Sequence, residues 1–347
     1  MESELKNTDI IALWHASRLK LTDVFENDVI VLLINNSAIG TFGNFSATIG
    51  KAKSKKTFRV IAIVACVISG TKILNYTSNL PSNKKKVLYI DTEQGRFHCR
   101  KVMDRIQKLA AISTDKFDEQ VDFLSLRSHS TPNRIKIIEA AIKNTPELGF
   151  VVIDGIRDLA YDINSPSEAT ILISLLMTWS EEYSIHIHIV LHQNKGDNNA
   201  RGHLGTELNN KAESVLQVAR DTNNDEISIV SPVYIRDKDF ENFAFLIDSN
   251  GLPELVDDFE NGDLKSARGI DFIEILESNH RVALEKIFES KTELKYGELI
   301  DLLKKNYLTI GYDFGMNKIK GLLTFLKNKK MIIQEKQIYT YNPNFYY

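Results

Sequence analysis

Cysteine is nearly absent: Cys66 and Cys99 are the only two in 347 residues, and no CxxC spacing joins them. That excludes a disulfide framework and a thiolate-based metal site, and it favours a reducing cytoplasm. No apolar run approaches the roughly 20 residues that a membrane span requires. The longest, at 60–69, is half that and reads as a buried helix. The first twenty residues are polar and mixed in charge, without the basic start and apolar stretch of a secretion signal. There is also no excess of positive charge. The formal net charge is −3, so any contact with nucleic acid has to come from a local patch. Internal repeats and low-complexity tracts are missing as well.

The composition present is that of an ordinary folded protein, with 43% hydrophobic and 26% charged residues. The length is generous for one domain and comfortable for two. Strand-like apolar runs recur at 29–34, 87–90, 121–126, 150–153, 185–191, 215–218 and 227–230, with helical stretches at 57–70, 95–111, 133–144 and 167–183 between them. Such alternation predicts an α/β fold with a mostly parallel central sheet, and the runs apolar at nearly every position suit strands covered on both faces. A strand, polar turn and strand over 231–248 predict an edge hairpin. The predicted division is a first domain over 1–250, a polar linker over 251–268 and a small second domain over 269–347. Residues 286–347 hold eleven lysines and no arginine against six acids, a net of +5 that leaves −8 for the rest. The basic patch is therefore C-terminal.

One segment points to chemistry. Gly50, Lys51, Ala52, Lys53, Ser54, Lys55, Lys56 and Thr57 follow an extended stretch and open a helix, giving GxxxxKK[ST] where a phosphate loop reads GxxxxGK[ST]. Successive backbone amides and a helix N-terminus make an anion nest, in which Lys56 would reach the β- and γ-phosphates of ATP. The Thr57 hydroxyl would serve a Mg2+ site. Lys55 stands where glycine is usual, in a position that favours a left-handed backbone, at a cost of about 1 kcal/mol. About a hundred residues on, the apolar run FVVID ends in Asp154, the carboxylate such a metal needs at the same sheet edge.

Between them VLYIDTEQ runs out into Asp91 and Glu93. Glu93 is the candidate base for the water that attacks the γ-phosphate, with Asp91 as a substitute or a structural partner. A further strand ends in His192, Gln193 and Asn194, and the two amides are candidates for sensing the γ-phosphate and passing its state to the loop at 196–204. His186 and His188 alternate within that strand, without a cysteine or carboxylate at ligand spacing, and read as packing residues.

The phosphate loop, DTE, a strand ending in Asp and a strand ending in HQN, in this order, resemble the RecA-like ATPases. The likeness is nearest to the branch of the RepA and DnaB hexameric helicases and their relatives on bacterial plasmids and transposons. It covers roughly residues 25–250, and RGHLGTELNNKAESVLQV at 201–218 looks like that family's loop, helix and strand after the sensor. The resemblance implies a homo-oligomer, a hexameric ring or a filament, with ATP bound between subunits. It also implies that Arg236 and Lys238 in VYIRDKDF act on a neighbour's nucleotide.

The C-terminal order of helix (270–290), helix (296–306), helix (317–329) and β-pair (331–334, 337–341) resembles a winged helix. Met316, Ile319, Leu322, Leu323 and Leu326 are expected to be buried, and Asn317, Lys318, Lys320, Thr324 and Lys327 to face outward, with Lys329, Lys330 and Lys336 near the wing. The implied function is an ATPase acting on DNA in replication, mobilisation or excision of a mobile element, with helicase activity as its most specific form. The alternative is an ATP-dependent oligomeric switch that presents a DNA- or protein-binding module, with weak hydrolysis or none.

Overall fold

The computed structural model describes residues 7–23, 30–194, 200, 202–221, 224–256, 272, 275–312 and 314–345. The chain forms two compact units, 1–259 and 260–347. The first contains, in chain order, α1 (Asn7–Ala16), β1 (Ile30–Ile34), β2 (Ser37–Thr41), β3 (Phe45–Gly50), α2 (Lys56–Ser69), β4 (Tyr76–Ser78), β5 (Lys86–Asp91), α3 (Arg96–Ala110), α4 (Thr114–Gln120), β6 (Val121–Ser125), α5 (Thr131–Asn144), β7 (Leu148–Asp154), α6 (Pro166–Glu182), β8 (His186–His192), α7 (Gly202–Lys211), β9 (Ser214–Arg220), β10 (Ser228–Ile235), β11 (Phe243–Ile247) and β12 (Pro253–Leu255).

Nine strands make the main sheet, in the order β12-β11-β10-β9-β3-β8-β7-β5-β6. The six from β9 to β6 are parallel, and β10, β11 and β12 continue the edge antiparallel. The side-chain period of two divides each central strand between two cores. Val87 and Tyr89, Phe150 and Val152 pack with α2 and α3 on one face. Leu88 and Ile90, Val151 and Ile153, Ile187 and Ile189 pack on the other with α6 and α7. Ser165 caps α6, accepting from the Glu168 amide, and Pro166 follows where a missing N–H costs nothing.

Two expectations change here. The run at 29–34 does not join the parallel sheet: Ile30–Ile34 pairs antiparallel with β2 and β4 in a separate three-stranded sheet. A tight turn forces this, with Asn35 left-handed at φ 52, and such a turn can only return the chain antiparallel. Within the expected linker, 253–255 form β12 against β11, because Pro253 starts an edge strand whose amide nothing needs. Residues 257–268 of that linker, and 195–199 and 201 of the sensor loop, lie outside the described residues. Among the described residues no helix is long and apolar enough to cross a membrane.

On the α2 face the sheet carries a buried polar row. The Ser46 hydroxyl lies 2.7 Å from His186 Nε2 and 2.8 Å from His188 Nδ1, and Thr48 Oγ1 lies 2.7 Å from His188 Nε2. Arg59, fully buried in the first turns of α2, donates to Thr48 Oγ1 and, at 2.7 Å, to the Tyr76 hydroxyl. Burial holds His188 well below the usual imidazole range, with Arg59 adding to the effect. A neutral His186 and His188 therefore fix β3 to β8, and Arg59 fixes α2 to β3 and β4 through hydrogen bonds that have no water to compete with them.

The second unit contains α8 (Glu277–Phe288), β13 (Glu293–Lys295), α9 (Tyr296–Thr309), α10 (Met316–Asn328), β14 (Ile332–Glu335) and β15 (Ile338–Tyr341). Its three strands pair in the order β13-β15-β14. Ile319, Leu322, Leu323 and Leu326 fill its core with Leu284, Leu303 and Tyr307. Met316 does not join them and is 45% exposed. It begins α10 one turn ahead of the core, where Phe314 is the buried residue instead. Lys318 is half-buried rather than outward, its ammonium 5.4 Å from the centre of the Phe314 ring, an arrangement that suits a cation over an aromatic face. The expected first helix is shorter, starting at Glu277 after an extended Leu276. Residues 270, 271, 273 and 274 and the side chain of Asn317 lie outside the described residues.

Candidate functional site

Parallel register brings the site together. Gly50 of β3 lies opposite His192 of β8, and Asp154 of β7 opposite Asp91 of β5, so the ends of all four strands share one edge. Strand β8 lies between the strand of the phosphate loop and that of Asp154. The loop from Lys51 leads into α2 at Lys56, with Lys53 and Lys55 both left-handed at φ 64. Lys55 thus adopts the backbone that glycine would take without strain. Its ammonium turns away to the Glu226 carbonyl, so this lysine adds less charge to the nest than its sequence neighbours suggest. The Arg220 side chain, at the end of β9, donates to the Lys53 carbonyl at 2.9 Å and steadies the loop. Gly50 admits no side chain: a Cβ would stand 2.5 Å from the Val218 carbonyl and 2.6 Å from Ser54 Oγ.

Lys56 is buried. Its ammonium lies 2.9 Å from the carbonyls of both Gly50 and Lys51, and 3.1 Å from His192 Nδ1. Burial lowers its pKa to about 8, against the opposing pull of Asp154 and Glu93. Thr57 donates to Asp154 Oδ2 at 3.2 Å, and the Tyr89 hydroxyl donates to the same oxygen at 3.0 Å. Asp154 is nearly fully enclosed, and burial, with Asp91 and Glu93 nearby, raises its pKa to about 6. A carboxylate so raised is one that a bound cation would stabilise.

Asp91 and Glu93, two residues apart, have different surroundings. Asp91 accepts from the Glu93 and Gln94 amides at 3.0 and 2.7 Å and from the Gln94 side chain at 2.7 Å, so its oxygens are spent on the turn. Glu93 is half-exposed, and Oε1 lies 3.7 Å from His192 Nε2. That imidazole, followed by the field of Lys56 and Arg157, holds its carboxyl below the usual range despite partial burial. Gly155, at φ 104, makes room for it, since a Cβ there would meet Thr92 Oγ1 at 2.2 Å and Glu93 Cγ at 2.8 Å.

Gln193 is buried beside the loop, its amide donating to the Gly50 carbonyl at 3.1 Å and its side chain accepting from Gln217 at 3.4 Å. Asn194 follows, lining a polar cavity of about 610 Å³ with Asn164, His203, Thr206 and Asn209. The fold does not bring Arg236 and Lys238 to this edge. Ile235 pairs with Ser214, which pairs with Ser46, so Arg236 lies at the opposite end of the strands. At about 3.3 Å per residue that is roughly 17 Å from the loop. Arg236 donates there to the Lys211 carbonyl at 3.2 Å.

Residues 38–198 match the family model described as AAA domain. The matched stretch runs from β2 through the phosphate loop, DTE and Asp154 to the strand of His192, a little under half of the chain. No curated protein is similar enough to match. Among solved structures, one titled as the crystal structure of the RadB recombinase is 13% identical, covering 60% of this chain and 90% of that one at a TM-score of 0.44, a likeness too loose to argue from.

Sequence reasoning did not single out Tyr89, His192 or Arg220 for the site. Tyr89 had a signal, lying two residues before Asp91 on the same strand face. Arg220 had none, because only the pairing of β9 beside β3 takes it to the loop.

The donor set fits a nucleotide and its metal. Ser54 Oγ is buried within the loop without a hydrogen-bond partner, and Asp154 faces the Thr57 hydroxyl with an unsettled negative charge. Thr57 and Asp154 are the residues that would hold Mg2+, and Lys56 with the loop amides those that would take phosphate oxygens.

Proposed function

We propose that this chain hydrolyses ATP in a RecA-like core and uses the cycle to act on DNA, as an oligomeric ring or filament of the RepA and DnaB kind serving a mobile genetic element. The observation that carries the reading is the meeting of Lys56, Thr57, Asp154 and Glu93 at the carboxyl edge of a parallel sheet. In this scheme the loop amides and Lys56 hold the β- and γ-phosphates. Glu93, kept ionised, orients and polarises the attacking water. Mg2+, when bound at Thr57 and Asp154, supplies neutralisation of the phosphate charge. Gln193, tied to Gly50 at the root of the loop, and Asn194 beside the polar cavity pass the state of the site onward.

Arg236 and Lys238 are too far from their own site to reach it, which supports a role on a neighbour's triphosphate, where a trans-acting arginine stabilises charge on the transferring group. The second unit supports DNA binding through its element order, helix, strand, helix, helix and two strands, which is that of a winged helix. Its lysines would contact phosphates.

The left-handed, non-glycine Lys55 favours a second reading, a slow ATP-dependent switch rather than a motor. Turnover measured with and without single- and double-stranded DNA separates the two: a motor is stimulated by DNA, a switch is not. Lys56→Ala should abolish nucleotide binding and turnover in both. Retention of full turnover by that variant, or no nucleotide affinity of the wild type by calorimetry, would refute the ATPase proposal.

A further inference from the structure

His192 carries no role in the scheme above, yet it is the side chain that touches both Lys56 and Glu93. A lysine ammonium has three protons to donate, and the chain itself supplies three acceptors, the Gly50 and Lys51 carbonyls and His192 Nδ1. A phosphate therefore gains Lys56 only by displacing one of them. The two carbonyls are fixed in the loop backbone, whereas the imidazole is a half-exposed side chain at the end of β8 and can turn. An Nδ1 that accepts from Lys56 leaves the ring proton of the neutral imidazole on Nε2, the nitrogen facing Glu93 Oε1. At 3.7 Å that second contact is too long for a formed hydrogen bond. Turning free of Lys56 would let it close.

We infer that His192 is a positioning residue that couples Lys56 to Glu93, restraining Lys56 when no phosphate is bound and, once phosphate takes Lys56, fixing Glu93 for its work on water. The inference rests on the ATPase reading and adds a regulated step to it: occupancy at the phosphate end prepares the carboxylate at the other.

Two conservative substitutions divide the imidazole in half. Asparagine keeps an acceptor near the position of Nδ1 and offers nothing at Nε2, while glutamine extends a donor toward the position of Nε2 and offers nothing at Nδ1. His192→Asn should lose about tenfold or more in kcat with KM little changed, part of the range for an acid–base group. His192→Gln should keep kcat within about threefold and lower KM, because Lys56 is no longer held back. A structural role alone would move kcat and KM alike in both variants, together with the melting temperature, and that pattern overturns the coupling. A readout independent of turnover is the 15N imidazole signal of His192, assigned by its loss in His192→Asn. It should move when a non-hydrolysable ATP analogue binds the wild type and stay still in Lys56→Ala. No movement in a wild type that binds the analogue overturns the inference while leaving the ATPase reading intact. Wild type without Lys56-dependent binding or turnover overturns both.

Discussion

Asp154→Asn should make the protein more stable while destroying its use of metal-bound nucleotide. The carboxyl is nearly enclosed, close to Asp91 and Glu93, and its pKa rises from 3.8 to about 6 on folding, chiefly through burial. The folded state therefore holds this proton more tightly than the unfolded chain does. Stability falls as pH rises from about 4 to 6 and stays reduced above that window. Two pH units correspond to about 3 kcal/mol. Asparagine has the same shape, retains an oxygen to accept from Tyr89 and Thr57, and carries no charge. In EDTA at pH 8 the variant should gain about 2 kcal/mol in urea unfolding, allowing for an amide that is not perfectly paired. For a unit of this size that is a rise of about 4 to 8 °C in Tm. At pH 5, midway through that window, the gain should fall by about half or more. Added Mg2+ and nucleotide should stabilise the wild type and not the variant. A variant no more stable than wild type at pH 8, or a gain that persists unchanged at pH 5, would refute the account of a buried charge waiting for a cation.

Two other substitutions follow from the geometry. Lys55→Gly removes a side chain from a left-handed position and also loosens the unfolded chain, effects of about 1 kcal/mol in opposite directions. Stability should hardly change in chemical unfolding while KM for ATP falls, and a rise in KM would count against the phosphate-loop reading. Lys320 is exposed on α10, and Lys327, on the same face, donates to Gln334 Oε1 at 2.6 Å. Replacing both by alanine in the full chain should reduce the slope of log Kobs for DNA against log salt by about 2, measured by fluorescence anisotropy. An unchanged slope removes α10 from the DNA-binding face.

The parallel core was legible because its strands are apolar on both faces and most of its helices are not. The ends of those strands were legible for the same reason: an acid or amide closing an apolar run has to emerge at the sheet's edge. What the sequence hid depends on pairing between distant segments. β1 is as apolar as β7, and only a left-handed Asn35 and the partners β2 and β4 take it out of the main sheet. Arg59 follows the phosphate loop by two residues and would pass for a surface charge, yet it is fully buried against Tyr76 and Thr48. Met316 fits the helical period of its buried neighbours, but the period does not say where a helix outruns its core.

The arrangement of the sheet bears on assembly. One edge holds the phosphate loop, and the other holds Arg236 and Lys238, separated by the length of the strands. Under the proposed function, a basic residue from one copy meets the nucleotide of the next, so opposite ends of two identical sheets come into contact. Such a contact joins different surfaces, unlike the self-complementary patch of a two-fold dimer, and each copy that receives a neighbour's arginine still has its own to give. Repetition of one heterologous contact closes into a ring or continues as a filament. The buried row from Arg59 through Thr48, His188, Ser46 and His186 runs along the sheet, and His186 Nδ1 lies 2.9 Å from the Thr41 carbonyl. Thr41 in turn donates from both its amide and its hydroxyl to Glu213, whose carbonyl accepts from the Arg236 amide. The helix that begins at the phosphate loop is thus tied through hydrogen-bonded groups to the residue that would serve the neighbouring subunit.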